Sequence, residues 1–205
     1  MIDEQTSGAK LDALTHVGVR GIRLNFGTLE VPDPPMVRQR FRSAVKQLAG
    51  RDWHVQIYAG LATIEELQDD IMTSPMPVVF DHFGGARASL GVSQPGFDVL
   101  VKLIRSGKAY VKISGAYRVS DRAPDYSDVT PLAQALIAAN PQRVLWGTDW
   151  PHPDSSRVPG RRATDLAPLL QIDDGRLFNQ LPVWAPDAKV RRTILVENPA
   201  RLYGF

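Results

Sequence analysis

The stretch Val144-Leu-Trp-Gly-Thr-Asp-Trp-Pro-His-Pro153 decides how the rest of the chain is read. Arg143 to Trp146 reads as a short, fully buried strand, and Gly147 ends it where backbone packs closely. Asp149 then falls at the strand's C-terminal tip, with Trp150, Pro151 and His152 shaping the exit of the loop. A carboxylate there is badly placed for core packing and well placed for chemistry, because the C-terminal strand ends carry the active site in α/β barrels. Taken alone, the segment leaves a lesser alternative, in which Asp149 merely caps a following helix.

A second segment, Pro77-Val-Val-Phe-Asp-His-Phe-Gly-Gly85, repeats the pattern of an apolar run ending in polar side chains. Asp81 and His82 are adjacent, so on a strand they point to opposite faces: one into a barrel, the other toward the helical layer or the rim. A lone buried histidine is commonly a hydrogen-bonded structural residue. His82 and Asp149 at matching ends of two strands favour a site instead, and imidazole with carboxylate suits a zinc-type hydrolytic centre.

Working outward, strands are expected at Gly21–Phe26, Trp53–Ala59, Pro77–His82, Ala109–Ser114 and Arg143–Trp146. Helices are expected over Lys10–His16, from Pro34 to about Ala49, and from Thr63, with Thr63 and Glu66 as a capping pair. Further helices are expected within Gln94–Gly107, over Ser127–Asn140 and Thr164–Leu170, and from Asp187 to about Val196, with an irregular stretch over Gln171–Pro186. Strands alternating with helices at this spacing mean parallel βαβ units. No repeat, low-complexity tract or linker interrupts residues 1–205, which read as one domain.

The 205 residues are enough for one sizeable core but short for a complete (β/α)8 barrel of about 250. With 43% hydrophobic and 22% charged residues the composition is that of a globular protein. The net charge is only +2, so Arg38, Arg40 and Arg42 and the pairs Arg161-Arg162 and Arg191-Arg192 read as solvated helix faces, not as a nucleic-acid surface. Zero cysteines exclude disulfides and Cys-ligated metal. No apolar run reaches membrane-span length and no signal-peptide profile opens the chain, so a cytoplasmic protein is expected.

The chain resembles the amidohydrolase-related family of TIM-barrel hydrolases, nearest its 2-pyrone-4,6-dicarboxylate lactonase and sulfomuconolactone hydrolase branch. The matching words run in family order: Gly18-Val-Arg-Gly-Ile-Arg-Leu-Asn25, Trp53-His-Val-Gln-Ile-Tyr58, Asp81-His-Phe-Gly84, Val111-Lys-Ile-Ser-Gly115, Trp146-Gly-Thr-Asp-Trp-Pro-His152 and Asn198-Pro-Ala-Arg-Leu-Tyr203. Each single word is weak; six in order are specific.

The resemblance implies a (β/α)8-type barrel of which this chain holds about five parallel strands, the first three βα units lying outside it, as in a truncated gene product or a fragment. It implies hydrolysis of a lactone or ester of a small anionic organic acid. Asp149 would be the base that activates water, and His82 would contact the scissile carbonyl. Arg23 and Arg118 would grip substrate carboxylate through bidentate guanidinium forks. Tyr58 would contact substrate, and His152 would line the same mouth.

His82 and Asp149 would also be the ligands of one divalent metal, zinc first, if a metal is bound. The family's first-strand His-x-His pair is missing, since the only histidines are His16, His54, His82 and His152. The chain as it stands is therefore expected to hold no catalytic metal tightly and to show negligible hydrolysis.

The pyrone-dicarboxylate lactonase carries further arginines where this chain has Leu29 and Gly85, which implies a substrate with fewer carboxylates. Lys112 is expected at the rim with its stem on apolar surface, and Gln56 and Asn25 as polar liners. Two other readings stay open: a metal-dependent non-oxidative decarboxylase of the same superfamily, and an inactive remnant. A barrel opened at five strands is also expected to expose apolar inner faces, covered by something such as a second copy in a homo-oligomer.

Overall fold

A computed structural model describes residues 6–28, 32–154, 162 and 164–205. The elements run α1 (Gly8–His16), β1 (Gly21–Asn25), α2 (Pro34–Gln47), β2 (His54–Tyr58), α3 (Leu61–Glu66), α4 (Gln68–Thr73), β3 (Val78–Phe80), α5 (Phe97–Arg105) and β4 (Ala109–Lys112). They continue with α6 (Thr130–Ala139), β5 (Val144–Leu145), α7 (Asp174–Phe178), α8 (Leu181–Trp184), α9 (Ala188–Arg192) and α10 (Asn198–Tyr203). The five strands form one parallel sheet in the order β1-β2-β3-β4-β5. Sequential order with helical crossovers is the arrangement of consecutive βα units in a (β/α)8 barrel, as the sequence implies.

The two faces of the sheet differ chemically because side chains alternate along each strand. One face carries Leu24, Val55, Ile57, Val78, Phe80, Val111 and Val144. They join Phe41 of α2, Ile64 of α3, Leu100 and Leu103 of α5, and Leu132 and Leu136 of α6 in the main core. The other face carries Arg23, Gln56, Tyr58 and Lys112 above a small apolar layer of Val79, Tyr110 and Leu145.

That inner apolar layer is not bare, contrary to the expectation for an opened barrel. Leu202 and Tyr203 of α10 pack on it, leaving Val79, Tyr110 and Leu145 at most 4% exposed. Asn198 holds α10 in place: fully buried, its Nδ2 donates to the carbonyls of Pro141 (2.8 Å) and Val144 (2.7 Å) at the entry of β5.

Other boundaries differ from the sequence reading. The capping pair is absent: α3 starts at Leu61 behind Gly60, Thr63 is buried within it, and Glu66 reaches Arg38 of α2 at 2.7 Å. Thr164–Leu170 forms no helix; Leu169 makes an antiparallel bridge to Pro153. Gln171–Pro186 is not irregular, since α7 starts on an Asp173 side-chain cap and α8 follows it. The last helix runs past Val196 through a π-helical turn, Thr193–Glu197, into α10. Leu29 and Arg161 lie outside the described residues.

Candidate active site

The C-terminal ends of the five strands open into a cavity of about 660 Å³ lined by Arg23, Asn25, Gln56, Tyr58, Asp81, His82, Lys112, Ser114, Arg118, Trp146, Asp149, Trp150 and Tyr203, among others. Of the sequence-assigned residues, His82, Asp149, Arg23, Tyr58 and Arg118 converge here, with the liners Gln56 and Asn25. Two residues do not sit where the sequence puts them. His152 is 4% exposed and lies behind Asp149, away from the cavity wall, while Lys112 points into the cavity and not to the rim.

Asp81 and His82 also escape simple alternation. The strand stops at Phe80, and His82, Phe83, Gly84 and Gly85 all have positive φ (46°, 55°, 64° and 70°), so the chain curls back and both side chains reach the cavity. Gly85 is constrained further: a Cβ there would lie 2.4 Å from the Ala59 carbonyl oxygen. Backbone geometry thus leaves no room for a side chain at this position.

His82 is held from below by Ser114, whose carbonyl and hydroxyl oxygens lie 3.3 and 3.2 Å from Nδ1. Its Nε2 faces Asp149 Oδ1 at 3.7 Å, and its ring meets Tyr58 edge-on at 5.7 Å. Burial lowers its pKa, against the opposing pull of the Asp149 and Asp81 charges, so the imidazole is neutral at neutral pH.

Asp149, at φ 67°, is oriented by two donors on one oxygen: the Tyr117 hydroxyl donates to Oδ2 at 2.6 Å, and the Arg118 Nε–H donates to the same atom. Its other oxygen is the one that faces His82. Burial and the bond to Asp149 push the Tyr117 hydroxyl's pKa upward, so it remains a donor. Gly115 makes this convergence fit: a Cβ there would lie 3.1 Å from both Asp149 Oδ2 and His82 Nδ1.

Behind this layer, His152 Nδ1 is 3.2 Å from the Tyr117 hydroxyl, and its Nε2 lies 3.1 Å from Asp174 Oδ1 on α7. His152 is thus a support for Tyr117 and not a lining residue. Arg118 likewise braces Asp149 where the sequence reading has it gripping substrate. Tyr117, Gly115 and Asp174 complete this arrangement, and the sequence reading assigns them no role. Tyr117 has a usable signal, since it sits between the Ser-Gly turn and Arg118.

The cavity floor is a second charged group. Asp81, 3% exposed by side chain, accepts from Arg23 Nε (2.9 Å) and forms an ion pair with Lys112 Nζ (3.1 Å), and Gln56 Nε2 donates to both its oxygens at 2.9 Å. Burial alone would raise the Asp81 pKa, but Lys112, Gln56 and Arg23 outweigh it and hold it below the ordinary carboxylate value.

These donors do not fit a catalytic metal. Among the described residues no group of three or more His, Cys, Asp or Glu side chains is placed to hold one. Of the two candidates, Asp149 already gives one oxygen to Tyr117 and to a guanidinium, whose charge would repel a dication. No helix among the described residues is long and apolar enough to cross a membrane.

A sequentially ordered parallel sheet with imidazole and carboxylate meeting at its C-terminal edge is the active-site end of a (β/α)-barrel enzyme scaffold. The chain belongs to the amidohydrolase family, whose profile matches residues 2–205. It is similar to 4-sulfomuconolactone hydrolase of Hydrogenophaga intermedia (36% identity over 198 residues, covering 95% of this chain and 61% of that protein). It is also similar to 2-pyrone-4,6-dicarboxylate hydrolase of Comamonas testosteroni (34% over 215 residues, 98% of this chain and 65% of that protein). Among solved structures, a candidate 2-pyrone-4,6-dicarboxylic acid hydrolase of Pseudomonas putida superposes with a TM-score of 0.79 at 28% identity, covering all of this chain and 70% of the other. The chain therefore spans less than two thirds of the length of these curated relatives.

Proposed function

We propose that the protein hydrolyses a lactone or ester of a small anionic organic acid, with Asp149 activating the water. One observation carries this reading: Asp149 is anchored through Oδ2 by Tyr117 and Arg118, while Oδ1 faces the His82 imidazole across 3.7 Å at the cavity wall. A carboxylate fixed through one oxygen presents the other as a base of defined direction.

A water at Oδ1 loses a proton to Asp149 as its oxygen attacks the carbonyl. Ser114 offers Nδ1 both a hydroxyl and a carbonyl oxygen; in the tautomer that accepts from the hydroxyl, the neutral His82 carries its proton on Nε2 and donates it as a hydrogen bond to the carbonyl oxygen of the substrate, stabilising the charge that develops there. Collapse of the tetrahedral intermediate breaks the ring C–O bond, and Asp149 returns its proton to the departing alkoxide. No step passes through a metal. The expectation of negligible hydrolysis rests on a short metal-ligand set, and this arrangement does not depend on one. The substrate is a small molecule, with neither nucleic acid nor membrane involved.

The test is a panel of carboxylated lactones incubated with this chain, with ring-opened acid and carbon dioxide both measured. Ring-opened acid without carbon dioxide is expected, and Asp149→Asn should lower turnover by at least about 100-fold while binding persists. Carbon dioxide release would indicate a decarboxylase. Turnover retained in the Asn variant, or absent throughout, would also overturn the proposal.

A further inference from the structure

We infer that Ser114 is the positioning residue that sets the His82 tautomer, keeping the ring proton on Nε2 so that the site holds one hydrogen-bond donor, His82, and one base, Asp149. The inference deepens the hydrolytic reading and rests on it for what the Nε2–H does. The tautomer itself is observable without any substrate.

A neutral imidazole has one proton for two nitrogens, and the partner of one nitrogen decides what the other can do. Burial lowers the His82 pKa and outweighs the Asp149 and Asp81 charges, so this ring is neutral and has a tautomer to choose. Ser114 offers Nδ1 two opposite partners at nearly equal distance. Its carbonyl oxygen, at 3.3 Å, can only accept, while its hydroxyl, at 3.2 Å, can donate.

If the carbonyl prevails, the proton sits on Nδ1 and Nε2 turns a lone pair toward Asp149 Oδ1, 3.7 Å away. Two acceptors then face each other, and neither can donate to a substrate carbonyl. If the hydroxyl prevails, Nδ1 accepts and Nε2–H points at the carboxylate, an arrangement that the Asp149 charge favours.

The surroundings keep this contact in place. Ser114 is 5% exposed, just past β4, and among the described residues His82 is the hydrogen-bond partner of its hydroxyl. The ring rests directly on the turn that follows: Gly115 has φ 61°, and a Cβ there would lie 3.1 Å from Nδ1. Tyr58 meets the ring edge-on at an interplanar angle of 84°. When a water and a carbonyl group enter between Nε2 and Asp149, the direct pull of that carboxylate is interrupted, whereas the contact beneath the ring persists. The Ser114 hydroxyl is therefore the partner that holds the tautomer through the reaction.

The experiment is heteronuclear NMR of the imidazole nitrogens of the full chain at neutral pH. His82 is assigned by comparison with His82→Gln, which the chain's four histidines make practical. Wild type should show a protonated Nε2 and a bare Nδ1. Ser114→Ala removes the hydroxyl and keeps the carbonyl, so the proton should move largely to Nδ1, and kcat should fall by about 10- to 100-fold with KM nearly unchanged. Ser114→Thr keeps a hydroxyl and should restore the Nε2–H signature and most of kcat, a rescue that a merely structural role would not link to the tautomer. If the threonine variant does not fold, the wild-type spectrum and Ser114→Ala decide the matter. A wild-type ring protonated on Nδ1, an unchanged tautomer in Ser114→Ala, an effect of that variant on KM alone, or a folded Ser114→Thr without the Nε2–H signature would each overturn the inference. Lactone turnover is scored separately from the spectra, so its absence would count against the hydrolytic reading alone.

Discussion

His54 offers a quantitative test of how the cavity floor is built. It opens β2 on the inner face and is 6% exposed, its Nδ1 has no hydrogen-bond partner, and its ring meets Tyr203 edge-on at 5.4 Å. It fits only because residue 21 is glycine, where a Cβ would come within 2.6 Å of the imidazole. Burial first, and then the Lys112 charge, lower its pKa from 6.5 to about 4. In the unfolded chain the group titrates near 6.5. Between that pH and about 4 the unfolded state therefore binds a proton that the folded state refuses.

The His54 contribution is thus complete above pH 6.5, declines as pH falls to about 4, and levels off below. A gap of about 2.5 units at 1.36 kcal/mol each amounts to about 3 kcal/mol. Urea unfolding of wild type and His54→Leu at about pH 7 and about pH 4 measures it, and the midpoint difference between the two proteins should change by on the order of 1 M. His82, also lowered by burial, titrates in the same direction and is present in both proteins, so the difference isolates His54. The Asp81 contribution is lost only at more acid pH, because its pKa lies below 3.8. Parallel pH dependence in wild type and variant would refute the reasoning.

Three further outcomes are expected. Tyr117→Phe removes the 2.6 Å donor to Asp149 and should lower kcat by roughly 10- to 100-fold with KM nearly unchanged, as for one lost hydrogen bond to a charged group; a shift confined to KM would contradict its orienting role. Asn198→Ala leaves the Pro141 and Val144 carbonyls without their donor, about 2–4 kcal/mol, so Tm should fall by roughly 4–16 °C; a Tm within about 2 °C of wild type would count against α10 being held in this way. Purified chain should contain well under one equivalent of zinc by elemental analysis, and stoichiometric metal that chelators remove together with activity would show that the donor set has been misjudged.

The parts legible in the sequence were those governed by local pattern. Apolar runs ending in Asp81-His82 and Asp149 mark strand tips, and the convergence of His82, Asp149, Arg23, Tyr58 and Arg118 follows from the parallel order. What escaped depends on contacts across the sheet. Lys112 faces inward because Gln56 and Asp81 satisfy its ammonium, and neither lies near it in sequence. His152 is buried with its Nδ1 against the Tyr117 hydroxyl, 35 residues before it, and its Nε2 3.1 Å from the Asp174 carboxylate, 22 residues after it. The Thr63–Glu66 pair has the right letters for a cap, but Arg38 takes the glutamate. The Thr164–Leu170 helix gives way to the bridge that Leu169 makes with Pro153.

The left-handed backbone at His82, Asp149 and His152 has a consequence for how this site can vary. At φ 67° glycine, asparagine and aspartate sit most comfortably, and β-branched side chains are strained before any chemistry is considered. A saturation library at position 149 should therefore keep folded protein mainly as the Asn and Gly variants, both unable to act as base. Glutamate, which would keep the base, must overcome the backbone first. Folding and chemistry filter the same position with different criteria, and aspartate alone passes both. Diversification of substrate preference therefore falls to residues with unconstrained backbone, Arg23 and Lys112 foremost.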